Sequence, residues 1–251
     1  MKRFGIIGYP LGHSFSMRFF NDKFHTEHIA ALYQAFPLSD ISEFPSLCKQ
    51  HTFSGLNVTY PYKEQIIPYL DEVDDVAKTI GAVNVICFKN DKKIGYNTDT
   101  VGFRLSLEPY LHPELTSALI LGTGGAAKAV NYALRKLNIK TTFVSRNPHS
   151  SNIQANNRQQ CIGYQDINQD LLNDNLLIVN CTPLGMMPFT YQYPPIPYDL
   201  LTPKHLLYDL IYNPKETRFL QFGKSRGCTI VNGLQMLYQQ AIAAWDIWTN
   251  N

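Results

Sequence analysis

The feature that most restricts how this chain can fold is the run Gly122-Thr123-Gly124-Gly125-Ala126-Ala127. It follows the apolar stretch Ala118-Leu119-Ile120-Leu121 directly and opens a segment with helical spacing that extends to about Leu137. Small residues at positions 122, 124 and 127 answer three steric demands. The first allows a tight turn, the second lets backbone approach a pyrophosphate, and the third lets helix pack closely on strand. The unpaired N–H groups of the helix N-terminus then favour an anion. A glycine-rich turn without a ligand is the alternative, but strand before and helix after is the context a phosphate loop requires. Downstream, apolar strands are expected at Thr142-Phe143-Val144, Leu176 to Val179, Leu206 to Leu210 and Thr229 to Val231, alternating with helical segments. That alternation predicts a parallel, doubly wound sheet.

The first hundred residues read differently. Residues 4–8 form an expected buried strand. A helix over 15–29 is marked by Phe15, Phe19, Phe20 and Phe24. Further strands are expected near 31–36 and 54–60, and Pro61 then suits the first turn of a helix. Lys89-Asn90-Asp91-Lys92, between two apolar runs, has the signature of a hairpin. This part is mixed α/β. A helix is expected from about 101 to 111. The last helix starts near Gly233, with Leu234, Leu237, Tyr238, Ala241, Trp245 and Trp248 on one face. Residues 147–175, rich in Asn, Gln and Ser, carry no clear pattern.

Composition narrows the function classes. A net charge of +2 with no stripe of Lys or Arg gives no nucleic-acid surface. No apolar run approaches the roughly 18 residues of a membrane helix. The five cysteines, Cys48, Cys87, Cys161, Cys181 and Cys228, are odd in number, widely spaced and without a CxxC pair. Reduced thiols in a cytoplasmic protein are therefore expected. His25 and His28 lie three apart but have no third ligand nearby, so no metal site is expected.

At the end of the strand after the glycine run stands Ser145-Arg146-Asn147. An NAD site usually places a carboxylate there to hold the ribose 2′-hydroxyl. Here no carboxylate would repel a 2′-phosphate, and Arg146 could grip one, which points to NADP.

Four polar clusters sit at strand ends in the first part: Gly12-His13-Ser14-Phe15-Ser16, Asn57-Val58-Thr59-Tyr60-Pro61-Tyr62-Lys63, Gly81-Ala82-Val83-Asn84 and Gly95-Tyr96-Asn97-Thr98-Asp99. Strand ends are where open α/β sheets bind ligands. Together the clusters supply hydroxyls, amides, one lysine and one carboxylate, a set suited to a polyhydroxylated acid. Structural roles compete. Ser14, Ser16, Thr59 or Asp99 could cap helices, Asn57 and Asn84 could sit in turns, and Lys63 could be a solvated lysine.

In this order, the clusters resemble the shikimate dehydrogenase family over nearly the whole chain. Tyr212-Asn213-Pro214 and the stretch from Gly233 through Met236 to Gln239 join them. The resemblance implies a substrate-binding and catalytic domain over 1–100 plus 233–251. It also implies a Rossmann-type NADP domain over 101–232, with the C-terminal helix returning to the first domain. Lys63 and Asp99 would be the catalytic pair. Ser14 and Ser16 would hold the substrate carboxylate, with Thr59 and Tyr212. Asn57, Asn84 and Gln239 would hold ring hydroxyls. Gly122, Thr123, Gly124, Gly125, Ala126, Ala127, Ser145 and Arg146 would bind the dinucleotide, and Thr182, Gly233 and Met236 would line the nicotinamide pocket. The implied activity is reversible NADPH-dependent reduction of 3-dehydroshikimate to shikimate in aromatic amino acid biosynthesis. The enzyme would act on a small molecule only, as a monomer or homodimer. A quinate or aminoshikimate dehydrogenase, or a non-catalytic metabolite sensor, are the rival readings. The family often has Pro after the second serine, where Met17 stands here.

Overall fold

The computed structural model describes residues 1–11, 15–150 and 160–250. The chain divides into two units, Met1–Asp99 with Gln240–Asn251, and Thr100–Gln239.

The first unit is built on a six-stranded mixed sheet, ordered β2-β1-β3-β5-β6-β4. The strands are β1 (Lys2–Gly8), β2 (Ala31–Pro37), β3 (Gly55–Val58), β4 (Glu72–Val73), β5 (Val85–Lys89) and β6 (Lys92–Tyr96). Strand β1 runs parallel to β2 and β3, and β5 runs antiparallel to β3 and β6. Asn90 and Asp91 both have positive φ, 50° and 60°. That is the backbone a two-residue hairpin needs to match strand twist, and residues with short polar side chains adopt it most readily. The expected hairpin is therefore present. One face of the sheet packs Ile7, Phe44, Leu56, Val58, Ile66 and Ile86. The other packs Phe4, Phe20, Phe24, Tyr33 and Val85 against Ala241, Ala244 and Trp248 of the last helix. Trp248 donates its indole N–H to the Ile86 carbonyl at 3.0 Å. Gly55 makes room for that ring, since a Cβ there would fall 2.2 Å from the indole nitrogen.

Helix α1 spans Phe15–Thr26, shorter than the sequence suggests; the chain leaves it through a turn in which His28 has a φ of 54°. The helix expected after Pro61 is absent. Residues 60–66 form successive turns that lead into a 3-10 turn over Ile67–Tyr69. The cause is a diverted carbonyl. In an α-helix the Lys63 C=O would accept from the N–H of Ile67. Here it accepts from Val83 at 2.7 Å, and the Ile67 N–H turns to Glu64 instead. Two short helices follow in this unit's stretch of chain, α2 (Phe44–Gln50) and α3 (Asp75–Ile80), the latter capped by Asp74.

The second unit carries a six-stranded sheet, β12-β11-β10-β7-β8-β9, in which every pair is parallel. Its strands are β7 (Ser117–Leu121), β8 (Lys140–Val144), β9 (Cys161–Ile162), β10 (Leu177–Asn180), β11 (Leu206–Asp209) and β12 (Thr229–Asn232). The order reverses between β7 and β10, as in doubly wound folds. Helix α4 (Asp99–Leu107) starts two residues earlier than its spacing suggests, and α5 (Gly125–Lys136) follows the glycine run. Ala127, Val130 and Leu134 of α5 pack on Ala118, Ile120 and Phe143. Within the unreadable 147–175 stretch, the described residues include edge strand β9 and a helix over Gln169–Asp174 capped by Asn168. A two-residue strand leaves no periodicity to read. The last helix, Leu234–Asn250, begins in the second unit, where Met236 packs with Phe103, Tyr208 and Val231. No helix among the described residues is long and apolar enough to cross a membrane.

Candidate active site

In the first unit the polar clusters converge at the ends of β3, β5 and β6. Lys63 Nζ lies 2.6 Å from Asp99 Oδ2, with the lysine side chain 20% exposed and the aspartate 7%. Two neighbours in the turn run are buried: Ile66, and Tyr62, whose hydroxyl donates to the Leu38 carbonyl at 2.7 Å. The Val83 bond to the Lys63 carbonyl brings this segment beside Asn84. Asn84 donates from Nδ2 to the other oxygen of Asp99 at 3.0 Å, and its Oδ1 accepts from the Thr98 N–H at 2.7 Å. Asp99 stands in the first turn of α4 with its carboxylate directed to Lys63 and Asn84. Surface ion pairs contribute little, but a pair this enclosed and hydrogen-bonded has a fixed geometry.

Asn57 lies on β3 and not in a turn. It is buried, accepts from the Tyr33 hydroxyl at 2.6 Å and donates to the Asn84 carbonyl at 3.3 Å. Ser16 is buried on α1. Thr59 is half-buried just past β3 and caps no α-helix, because none follows. Ser14 lies outside the described residues. Gln239 is not the glutamine that reaches this cluster. Gln240 is: it is buried, with Oε1 3.5 Å from Asn84 Nδ2. One residue along a helix turns a side chain by about 100°, so the two glutamines face different ways. The signal was available, because Gln240 lies four and eight residues before Ala244 and Trp248, on the buried stripe.

In the second unit the glycine loop sits at the C-terminal end of β7. Gly122 has a φ of 108°, and its N–H donates to the Val144 carbonyl at 2.9 Å. A Cβ at this position would also stand 3.3 Å from Thr182 Cγ2. Only glycine takes such a backbone at no cost. Gly124 caps α5 without any side chain, leaving the first-turn N–H groups for a ligand. Among the described residues, a Cβ on Gly124 would meet no atom within 4 Å beyond its own chain neighbours, so there is open space at the loop where a phosphate would sit. Thr123, Gly125 and Ala126 complete the half-exposed loop, while Ala127 is buried under the sheet. These residues fit a dinucleotide pyrophosphate. Ser145 and Arg146 follow β8, and Arg146 is exposed near Tyr164, whose hydroxyl burial pushes up to about 12.

A second buried network closes the switch-point side of this sheet. Asp209, at the end of β11, accepts from Thr217 at 2.5 Å and from Asn180 and the Ile211 N–H at 3.0 Å each. Burial pushes its carboxyl up to about 7, against the pull of those three donors. Asn180 in turn accepts from the hydroxyl of Thr182 at 2.7 Å and from its N–H at 3.0 Å. The carboxylate thus ties the loop after β10, with Thr182, to the loop after β11, with Tyr212. Tyr212 is about one-third exposed, and burial raises its hydroxyl above the usual range. Gly233 packs on backbone: a Cβ there would fall 2.0 Å from the Leu210 carbonyl oxygen. Met236 is a core residue of this unit. Neither Asp209 nor Asn180 stands out in the sequence; both look like ordinary strand-end residues. Among the described residues there is no cluster of His, Cys, Asp or Glu that could hold a metal ion.

Phosphate-directed backbone in one unit and an acid–base pair in the other place the protein in the class of two-domain oxidoreductases that work with a nicotinamide dinucleotide. Residues 6–86 match the family model described as the shikimate dehydrogenase substrate binding domain. The shikimate dehydrogenase (NADP(+)) of Carboxydothermus hydrogenoformans is 40% identical over 99% of this chain and 91% of that relative. The crystal structure of shikimate dehydrogenase from Aquifex aeolicus has a TM-score of 0.88 at 36% identity, covering 100% of this chain and 93% of that one. The Thermus thermophilus enzyme, in complex with NADP(H) and shikimate, has a TM-score of 0.88 at 30% identity, covering 100% and 94%. The chain belongs to the shikimate dehydrogenase family.

Proposed function

We infer that this protein is an NADP-dependent shikimate dehydrogenase, interconverting 3-dehydroshikimate and shikimate in aromatic amino acid biosynthesis. The observation that carries the reading is the Lys63–Asp99 pair at 2.6 Å, enclosed by amides, in a chain of this family. NADP supplies and takes up the hydride when bound. The protein has to move a proton to or from the substrate oxygen and fix the geometry. Lys63 is the proton donor for ketone reduction and the acceptor for alcohol oxidation, and its ammonium stabilises charge developing on that oxygen. Asp99, braced by Asn84, orients the lysine amine. Ser14, Ser16, Thr59 and Tyr212 hold the substrate carboxylate. Asn57 and Asn84 hold ring hydroxyls, and in this role Gln240 replaces Gln239. The first-turn N–H groups of α5 hold the pyrophosphate, Arg146 the 2′-phosphate, and Thr182, Gly233 and Met236 belong to the nicotinamide pocket. On this reading, the unit Met1–Asp99 with Gln240–Asn251 is the substrate domain and Thr100–Gln239 the cofactor domain.

The enzyme acts in the cytoplasm, as a monomer or homodimer; five cysteines, none in a disulfide, support a reducing compartment. The test is absorbance of reduced nicotinamide with shikimate, quinate and aminoshikimate, each with NADP and with NAD. NADP reduction with shikimate is expected to give the highest kcat/KM. Shikimate binding without any absorbance change would leave the metabolite-sensor reading instead.

A further inference from the structure

We propose that Tyr33 is a positioning residue for the substrate site, setting the hydrogen-bonding direction of Asn57 through its one hydroxyl. This rests on the assignment of Asn57 to substrate. Tyr33 lies on β2, a strand that contributes nothing else to the polar cluster, and only 1% of it is exposed. Its ring is held by stacking on Phe20, centroids 4.8 Å apart and planes 16° apart. A side chain packed on this scale cannot swing to find other partners.

The proton count at the hydroxyl is restrictive. Asn57 Nδ2 donates to the Asn84 carbonyl at 3.3 Å, which fixes the amide so that Oδ1 faces Tyr33. Tyr33 therefore gives its single proton to Asn57 Oδ1, at 2.6 Å. Burial keeps the phenol protonated, so it remains a donor. The same contact stops the Asn57 amide from rotating by a half-turn, which would exchange donor and acceptor toward a ring hydroxyl. Hydrogen bonds continue from Asn57 through Asn84 to Asp99 and Lys63. Tyr33 and the catalytic pair are therefore tied to one framework, with Tyr33 as the link from β2 to β3.

The test is Tyr33→Phe, which keeps the ring and its stacking. KM for shikimate is expected to rise about 5- to 20-fold, the scale of one buried hydrogen bond, while KM for NADP stays unchanged. Shikimate affinity measured by calorimetry should fall by the same factor, a readout independent of turnover. In an Asn57→Ala background the further effect of Tyr33→Phe should shrink to less than half its size in the otherwise wild-type chain, because the two act through one contact. Unchanged shikimate KM and affinity with a lowered Tm would overturn the proposal and leave Tyr33 as packing alone. Equal weakening of shikimate and NADP would overturn it too, by showing a general loss of structure. Failure of the underlying functional reading is separate, because the wild-type protein would then not reduce NADP with shikimate.

Discussion

On the proposed reading, the working groups at the mixed sheet of the first unit are side chains, whereas those at the glycine loop of the second are backbone N–H groups and the absence of side chains. Around Lys63 and Asp99, polar side chains are oriented by hydrogen bonds that run from Tyr33 through Asn57 and Asn84. Around Gly122 and Gly124, what matters is a φ of 108° and open space where a Cβ would stand. The physical reason is the ligand each would take. A pyrophosphate is a repetitive anion that unpaired N–H groups at a helix start satisfy without side chains. A polyhydroxylated ring has donors and acceptors in particular directions, which only oriented side chains can match. The first unit should therefore be sensitive to loss of single functional groups, and the second to added bulk.

The largest effect expected is that of Lys63→Ala, a fall in kcat of roughly 10²- to 10⁴-fold with a smaller change in shikimate KM. Because lysine and aspartate act as a unit, the double variant with Asp99→Ala should lose far less than the product of the two single losses. Wild-type turnover with weakened binding would reduce Lys63 to an anchor.

Arg146→Ala tests a side chain of the second unit that is proposed to read the ligand. It should weaken NADP about tenfold to a hundredfold and leave NAD nearly unchanged. Equal losses in steady-state KM for both cofactors would remove Arg146 from 2′-phosphate recognition.

Adding a single methyl group probes the glycine loop directly. Gly122→Ala forces a left-handed backbone on a residue with a Cβ, at a cost of about 1–2 kcal/mol, and should raise NADP KM roughly 5- to 30-fold without moving shikimate KM. If NADP titration shows no change and only Tm drops, the glycine serves the turn and not the ligand.

Ser16→Ala should raise shikimate KM by a smaller factor, roughly threefold to tenfold, with kcat little altered, since anchoring a carboxylate is nearly the same in ground and transition states. Unchanged kinetics with a loss of helix stability would assign Ser16 to α1 alone.

The smallest effect on turnover belongs to Asp209→Asn, whose signature is in stability. The folded carboxyl, near pH 7, holds its proton where an unfolded one, near about 4, has released it. The unfolded state then binds fewer protons, so wild-type stability should fall as pH rises from about 4 to about 7. Melting curves across that range should show the slope in the wild type and a flatter line in the variant. Identical slopes would mean that the three donors hold Asp209 ionised throughout.

Features that depend on neighbours along the chain are legible in the sequence. The parallel sheet, the glycine loop, the Asn90-Asp91 hairpin and the set of polar clusters all follow from spacing and local backbone preference. Tertiary structure decided the rest, where partners are distant in sequence. The carbonyl that Val83 takes from Lys63 unmakes the helix that Pro61 would begin. The aspartate at the start of α4 is turned to Lys63, not to its own helix. A glutamine 156 residues from Asn84 meets it only because the last helix packs on the first unit's sheet, and that packing selects Gln240 over Gln239. Asp209 and Tyr33 look like unremarkable strand residues until burial removes water from them. A hydrogen-bond network then becomes the only way to satisfy their polar atoms, and that requirement comes from the fold as a whole and not from any stretch of it.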